Sequence, residues 1–394
     1  MDSHDVLVRR SNRIIGKLSN DDDASSTDPV VHGSSYIKIE SVERPRLSYP
    51  DPNYVLGKKY VNHVAIHTGS SSVVTMSSYT REPSVRSGLK SVVAIKFYSE
   101  DGFAREKKIL AAVWDSSRVV PELFTKVIGS VKYNKHHCMV MDLYSMNLGR
   151  LLSDGKFTPF SGECVKFIGS QILDGLRFLN GIGITHASLN LEKVLLLSDP
   201  TSASASTDVV GSRNKHVLER PQIRIVGFSH SLFSFEYGRV NVSDNRCGPP
   251  ELLNELSWSK SVDAFSVGCI VSELHVGRIL FPVTGSSRER LSVLEILVGR
   301  FNARFIEQYK QIDPHAFTPD SPPRVNYGPH SPDASTRKHF PPHSATYALS
   351  DLKPVLTLIS DRGLGTLVRG LLAADPSDRT TVVQALDSGY FDIL

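Results

Sequence analysis

The chain has 394 residues, 40% of them hydrophobic and 22% charged, with a formal net charge of +4. Its length holds one domain of about 250–300 residues plus tails, and its dispersed Lys and Arg argue against dedicated nucleic-acid binding. Four widely spaced cysteines, Cys138, Cys164, Cys247 and Cys269, form no C-x-x-C pair and indicate neither a zinc site nor a disulfide framework. Residues 1–18 are polar, with Arg9, Arg10 and Arg13, and lack the apolar core of a signal segment. No stretch is long and apolar enough to span a bilayer, so the expectation is a soluble intracellular protein, cytoplasmic or nuclear, with no membrane partner. Asn241-Val242-Ser243 fits a glycosylation sequon but carries no meaning in that compartment.

Residues 1–55 are rich in Ser, Asp and Pro and include the acidic run Asp21-Asp22-Asp23. They can bury little apolar surface and are expected to form a disordered tail, with order starting near Tyr60. Residues 61–79 place apolar patches around a Gly/Ser turn, which predicts a β-hairpin. Val92-Val93-Ala94-Ile95-Lys96-Phe97 is a β-rich run. Phe103, Ile109, Leu110 and Val113 recur at helical spacing. Residues 138–143 are a buried-strand candidate. Val165, Ile168, Ile172, Leu173, Leu176 and Leu179 mark a long helix over 162–182. A strand pair then brackets 199–220, a Ser/Thr/Asp-rich run read as a flexible insertion. Residues 262–276 are apolar and helical, 312–349 form a second loop rich in Pro, His and Ser, and 364–374 with 381–386 close the chain as helices. Strands first and helices later predict an α+β chain without internal repeats, its small sheet lobe followed by a larger helical lobe.

The most informative segment is His186-Ala187-Ser188-Leu189-Asn190-Leu191-Glu192-Lys193-Val194-Leu195-Leu196. It resembles the catalytic loop of eukaryotic protein kinases, H-R-D-L-K-P-E-N-I-L-L, with the frame kept and the chemistry changed. Ser188 stands at the catalytic Asp, which in that family accepts the substrate hydroxyl proton; a serine has no useful basicity near neutral pH. Ala187 replaces the loop Arg and Asn190 the loop Lys. Lys193 replaces the metal-ligating Asn. Ile223-Arg224-Ile225-Val226-Gly227-Phe228-Ser229 is similar to the strand leading into D-F-G, with Gly227 at the position of the principal Mg²⁺ ligand. Ser188 therefore leaves no intact catalytic set, and Lys193 with Gly227 leaves two degenerate metal positions and no metal site. Lys193 is expected to point to solvent; the competing reading puts its ammonium beside the phosphates in place of the ion.

The remaining motifs extend the resemblance. Val93-Ala94-Ile95-Lys96 resembles the strand whose Lys grips ATP, and Glu106 in Phe103-Ala104-Arg105-Glu106-Lys107-Lys108-Ile109-Leu110 resembles its helix partner. The Gly-rich loop falls on His67-Thr68-Gly69-Ser70-Ser71-Ser72-Val73-Val74, where only Gly69 and Val74 match, and His67 and Ser72 would crowd a phosphate. Val74, Ala94 and Leu195 match the residues that sandwich adenine. Met141, Asp142 and Leu143 fall on the nucleotide-binding hinge, with Met141 as gatekeeper. His186, Phe228 and Leu110 match the regulatory spine. Glu251 in Gly248-Pro249-Pro250-Glu251 is expected to pair with Arg379, and Asp263 to cap the catalytic-loop backbone.

Within the kinases, Met141-Asp142-Leu143-Tyr144-Ser145-Met146-Asn147-Leu148 and Gly277-Arg278-Ile279-Leu280-Phe281-Pro282 resemble the CMGC branch, the DYRK family first and the CLK or LAMMER kinases next. Leu291-Ser292-Val293-Leu294-Glu295-Ile296-Leu297 is loosely similar to the LAMMER stretch. The activation tyrosines fall on Arg239-Val240-Asn241, and Gly248 replaces the Arg before A-P-E. The resemblance implies a bilobal kinase-like domain over 56–394, with an N-lobe of about 56–143, a C-lobe of about 144–394 and the two insertions. It implies a pseudokinase that acts as scaffold or allosteric regulator through a protein partner such as an active kinase or its substrate. ATP is left open as a ligand, and Mg²⁺ is not expected. The alternative is an active Ser/Thr kinase with a non-standard catalytic arrangement, in which Glu192 or the Asp at 244 is recruited.

Overall fold

The structure, a computed structural model, describes residues 49–392 except 70–71, 81–91, 99–101, 117–120, 135, 155–159, 199–205, 210–213, 219, 237–245, 253–257, 283, 285–286 and 327–350. The chain divides into two compact units, one running to Ser99 and including Ser130–Val140, the other Glu100–Gly129 with Met141–Leu394.

The first unit is built on a sheet. Strands β1 (Val55–Leu56), β2 (Tyr60–Thr68), β3 (Ser72–Tyr79), β4 (Val92–Tyr98), β5 (Val127–Tyr133) and β6 (His136–Asp142) form six strands in the order β1-β2-β3-β4-β6-β5. The predicted hairpin is the antiparallel β2–β3 pair, with register shifts between Asn62 and Val64 and between Ala65 and His67. Strand β4 lies between β3 and β6 and is buried along nearly its whole length, which explains its unbroken apolar run. Order reaches back beyond Tyr60. Buried Asn62 donates from Nδ2 to Pro50 O at 2.7 Å, and Asn53 N donates to Asn62 O at 2.7 Å. Residues 1–48 of the predicted tail lie outside the described residues.

The second unit is largely helical. Its helices are α1 (Gly102–Asp115), α2 (Leu148–Asp154), α3 (Gly162–Gly181), α4 (Ser261–Val276), α5 (Ser287–Val298), α6 (Ala303–Lys310), α7 (Val355–Leu358), α8 (Arg362–Leu371) and α9 (Val382–Asp387). Helix α3 begins where the Ser161 hydroxyl accepts from Cys164 N at 3.1 Å, and it buries the predicted stripe from Val165 to Leu179. Helix α4 is buried on all sides, so its polar side chains must be satisfied inside the protein. Ser266 donates to Cys247 O at 3.0 Å and Ser272 to Gly268 O at 2.6 Å. A Cβ on Gly268 would lie 2.8 Å from Leu372 Cδ2, so only glycine lets α4 and the end of α8 pack this closely. Helix α5 lacks a clean apolar period; α6 buries Phe305, Ile306 and Tyr309 on one face and starts at Asn302, whose Oδ1 accepts from Phe305 N at 2.9 Å.

Short strand pairs position the loops of this unit. β7 (Ile184–Thr185) pairs with β12 (Leu232–Phe233), and β8 (Val194–Leu196) with β11 (Ile223–Ile225). The latter is the strand pair expected to bracket the insertion. Within that insertion β9 (Ser206–Val209) and β10 (Asn214–Val217) form a further antiparallel pair. Thr207, Val209 and Val217 favour extended backbone, which the Ser/Thr/Asp count alone concealed. Of the second loop, residues 312–326 are described and include a bridge between Phe317 and Val325.

The expected Glu251–Arg379 pair is present and bidentate, at 2.5 and 3.0 Å, with both side chains almost fully buried. Arg379 also donates to the carbonyls of Ala373, Ala374 and Ser261. Removing one partner strands the other charge in the interior. Arg379→Ala is therefore expected to lower the unfolding free energy by about 3–5 kcal/mol. The measurement is the urea midpoint at unchanged m; a loss below about 1 kcal/mol would contradict a buried bidentate pair.

Candidate active site

The catalytic-loop segment leaves β7 and is fixed at once by helix α4. Asp263 Oδ2 accepts from His186 N at 2.8 Å, and Oδ1 accepts from Ala187 N at 2.9 Å. Burial pushes the Asp263 carboxyl up to about 7, while the two backbone N–H donors pull it down. The loop bends sharply at Ala187, which holds φ = +63°, a left-handed conformation costly for a residue with a Cβ. His186 Nδ1 faces Ser188 N at 3.4 Å and Nε2 faces Val226 O at 3.1 Å. With an N–H donor on one side and a carbonyl on the other, the ring is the neutral tautomer protonated at Nε2. Asn190 caps the following turn, its Oδ1 accepting from Glu192 N at 2.9 Å. Glu192 itself is exposed, and residue 244 lies outside the described residues.

The base position and both metal positions converge in this unit. Val226 N donates to Lys193 O at 3.0 Å, continuing the β8–β11 ladder and setting Lys193 against Gly227. Lys193 does not point to solvent as expected. It is half-buried, and its Nζ donates to the buried Ser188 hydroxyl in a short hydrogen bond. Gly227 sits at φ = +82°. A Cβ added there would lie 3.1 Å from Lys193 Cδ, 3.3 Å from Cε and 3.4 Å from Cγ. The lysine stem thus runs where a side chain at 227 would begin. The three positions bring together a hydroxyl, an ammonium and a bare backbone. Among the described residues no group of three or more His, Cys, Asp or Glu could hold a metal ion. Between them the three positions offer one side-chain oxygen, the Ser188 hydroxyl.

Three contacts fasten α1 to the segment after Gly227. Glu106, buried, accepts from Phe228 N at 3.0 Å. Arg105 pairs with Glu236 at 3.4 Å, and Glu236 also accepts from Phe233 N at 3.0 Å. Lys108 Nζ lies 5.0 Å from the Phe233 ring centroid. Phe228 is fully buried against His186, with ring centroids 4.9 Å apart, and Leu110 is buried as well. Helix α1 belongs to the second compact unit.

Of the predicted nucleotide positions, Gly69, Val74, Ala94 and Lys96 belong to the first unit. Glu106, Met141, Asp142, Leu143 and Leu195 belong to the second. In the sheet, Val74 is directly opposite Lys96 and Met76 opposite Ala94, so Val74, Ala94 and Lys96 share one face. Lys96 is buried, with Nζ 5.0 Å from the Tyr98 ring centroid. Gly69 N donates to Ser72 O at 2.9 Å, closing the turn; residues 70–71 are outside the described set. In the helical unit Met141 is buried, Asp142 N donates to Lys126 O at 3.2 Å, and Leu195 bridges Asn147.

Two buried guanidinium groups escaped the sequence reading. Arg246 donates to Glu273 at 2.8 Å, and the same Oε1 accepts from Leu280 N at 2.9 Å and Phe281 N at 3.1 Å. Arg290, its pKa lowered by burial, donates to Gly248 O at 2.8 Å. Basic residues next to A-P-E-like and LAMMER-like motifs were the available signal, but nothing in their spacing shows burial. A cavity of about 730 Å³ lined by Lys166, Gly363, Thr366, Thr380 and Tyr390 contains none of the positions above.

A sheet unit, a mainly helical unit and a loop capped by an aspartate from a buried helix define a chain of protein-kinase fold. A family model described as protein kinase domain matches residues 60–391, and the chain belongs to that family. The dual specificity protein kinase lkh1 of Schizosaccharomyces pombe is 26% identical over 366 residues, covering 92% of this chain and 51% of that protein. The human dual specificity protein kinase CLK1 is 25% identical over 263 residues, covering 67% and 51%. The serine/threonine-protein kinase Doa of Drosophila melanogaster is 26% identical over 277 residues, covering 69% and 32%. The chain thus spans about half or less of the length of these relatives. A crystal structure of a kinase domain matches with a TM-score of 0.70 at 17% identity, over 88% of this chain and 99% of that one, which shows the fold. Two of these relatives are named as dual specificity kinases, one of them a CLK, whereas the hinge resembles the DYRK family first and the CLK kinases next; none of the three is named as a DYRK kinase. No helix among the described residues is long and apolar enough to cross a membrane.

The contact between Lys193 and position 227 yields a test. Gly227→Ala adds a Cβ against the lysine stem at a positive φ, and is expected to cost about 1–3 kcal/mol. Combining it with Lys193→Ala, which clears the stem, should recover part of that loss. Strict additivity in the double-mutant cycle, measured by urea unfolding, would mean that the two positions do not touch.

Proposed function

We propose that this member of the protein kinase family is a pseudokinase, a kinase fold that works by binding a protein partner rather than by phosphoryl transfer. The observation that supports it most is the convergence of Ser188, Lys193 and Gly227 into a cluster with no carboxylate. Phosphoryl transfer relies on positioning and electrostatic stabilisation, and single elements of that machinery are worth roughly 10²–10⁵ in rate. Here the base and both metal ligands are exchanged together, so Mg²⁺ has no ligand set at these positions. The exchanges spare the apolar packing and the structural ion pair Glu251–Arg379. A partner is expected to be an active kinase or its substrate, inside the cell. The insertions at 199–220 and 312–349 are the segments suited to recognise it, as long loops on a rigid scaffold often are.

A second reading is kept by one observation. Lys96 and Glu106, the pair a kinase uses around ATP, are both present and buried. An active Ser/Thr or dual-specificity kinase with an unusual catalytic arrangement would need them.

The purified chain with MgATP and a Ser/Thr/Tyr peptide library is expected to transfer no labelled phosphate above a Lys96→Met control. Turnover that disappears in Lys96→Met would overturn the pseudokinase reading. The family residues can also be restored together as Ser188→Asp, Lys193→Asn and Gly227→Asp. Any of the three alone is expected to remain inactive, because residues that act as a unit are not additive.

A further inference from the structure

The inward turn of Lys193 has a chemical consequence beyond lost catalysis. We propose that the Lys193 ammonium is a resident cation that lets the helical unit hold the polyphosphate of a nucleoside triphosphate without a divalent metal, and that the metal chelate is the weaker ligand. The inference rests on the pseudokinase reading and assigns that same site a ligand.

The first support is geometric. Lys193 is fixed along its backbone, where Lys193 N donates to Asn190 O at 3.0 Å and Lys193 O accepts from Val226 N at 3.0 Å. It is fixed at its tip by the Ser188 hydroxyl. Its stem fills the space where a side chain at 227 would start, within 3.1–3.4 Å of that Cβ position. The exchanges at 193 and 227 are therefore matched to each other. A long side chain at 193 in this rotamer would be tight against a Cβ at 227, and glycine at 227 leaves room for it.

The second support is charge. Relative to the resembled motifs, Ser188 and Gly227 each remove a negative charge and Lys193 adds a positive one. Carboxylates at such a site repel a polyphosphate unless a divalent ion lies between them. With no carboxylate at 188 or 227, and the Glu106 Oε1 engaged by Phe228 N, a bare polyphosphate at these positions meets an ammonium, a compact charge with rotatable donors that suits phosphate oxygens. A divalent ion carried in on the phosphates would be repelled by that ammonium and would find no oxygen ligand at 188, 193 or 227 beyond one hydroxyl.

The test is nucleotide binding to the whole chain, read by thermal shift and by calorimetry, with ATP and AMP, first in EDTA and then in excess Mg²⁺. ATP in EDTA is expected to raise the melting temperature, AMP to raise it less, and Mg²⁺ to weaken ATP binding. Lys193→Met, which keeps the stem and removes the charge, should lose about tenfold or more in affinity for ATP in EDTA and leave AMP unchanged. Equal binding of ATP and AMP by the wild type would overturn the proposal, and needs no variant that folds. So would Lys193→Met binding ATP as the wild type does. Absence of ATP binding in either buffer sinks this inference and leaves the pseudokinase reading standing. Binding that requires Mg²⁺ sinks it too, and phosphate transfer in the same tube would sink both.

Discussion

The Asp263 carboxylate is the constraint on which the site depends. It sits inside the most buried helix and accepts the backbone N–H groups of His186 and Ala187. In this fully buried position the two N–H donors and the carboxylate satisfy one another. The pair of bonds holds Ala187 at its positive φ and aims the His186 ring at Val226. From Val226 the frame runs to Gly227 and Phe228, and through Phe228 N to Glu106 on α1. One buried carboxylate thus registers the loop, the strand after it and the helix that packs on that strand.

Because that frame joins buried side chains elsewhere to backbone groups of the loop, it does not depend on the side chains at 188, 193 and 227. Ser188 and Lys193 hang on a loop whose path is set by Asp263 and by the β8–β11 ladder, not by their own functional groups. A lysine at 193 then has two options, solvent or the space next to 227. The inward path removes part of its apolar stem from water and gives its ammonium a hydroxyl partner. It is open because position 227 has no Cβ. The two positions are matched by packing, the Lys193 stem lying against the bare backbone of Gly227.

The region ahead of Glu251 shows the same economy with charge. Gly248 lacks the arginine of the resembled motif, yet guanidinium groups from Arg246 and Arg290 are buried nearby. Each is fixed by acceptors on other segments: Arg246 on Glu273, and Arg290 on the Gly248 and Pro282 carbonyls. Glu273 in turn collects the Leu280 and Phe281 amides, so one carboxylate ties α4 to the turn that follows it. The set is not fully satisfied, since the buried Arg290 Nε and Glu273 Oε2 have no hydrogen-bond partner among the described residues, a cost to stability at this point.

The sequence by itself determined the kind of fold and the chemical character of the site. Periodicity gave α3, because burial of a stripe leaves a direct mark on residue order; a continuous apolar run gave α4, and apolar patches around a Gly/Ser turn gave the β2–β3 hairpin. Motif order gave the Glu251–Arg379 pair and the Asp263 cap before any distance was known. Ser188, Lys193 and Gly227 were legible as replacements because their neighbours kept the frame. Helix α5 and the β9–β10 pair were not, since charged or polar segments can be ordered by contacts that local pattern does not encode; α6 carries Phe305, Ile306 and Tyr309 at helical spacing, a short pattern that the sequence reading missed. The direction of Lys193, the burial of Arg246 and Arg290 and the attachment of Glu106 to Phe228 were decided only in three dimensions. Each depends on which atoms distant segments bring within hydrogen-bond reach, and a flexible side chain takes its conformation from those partners rather than from its place in the chain.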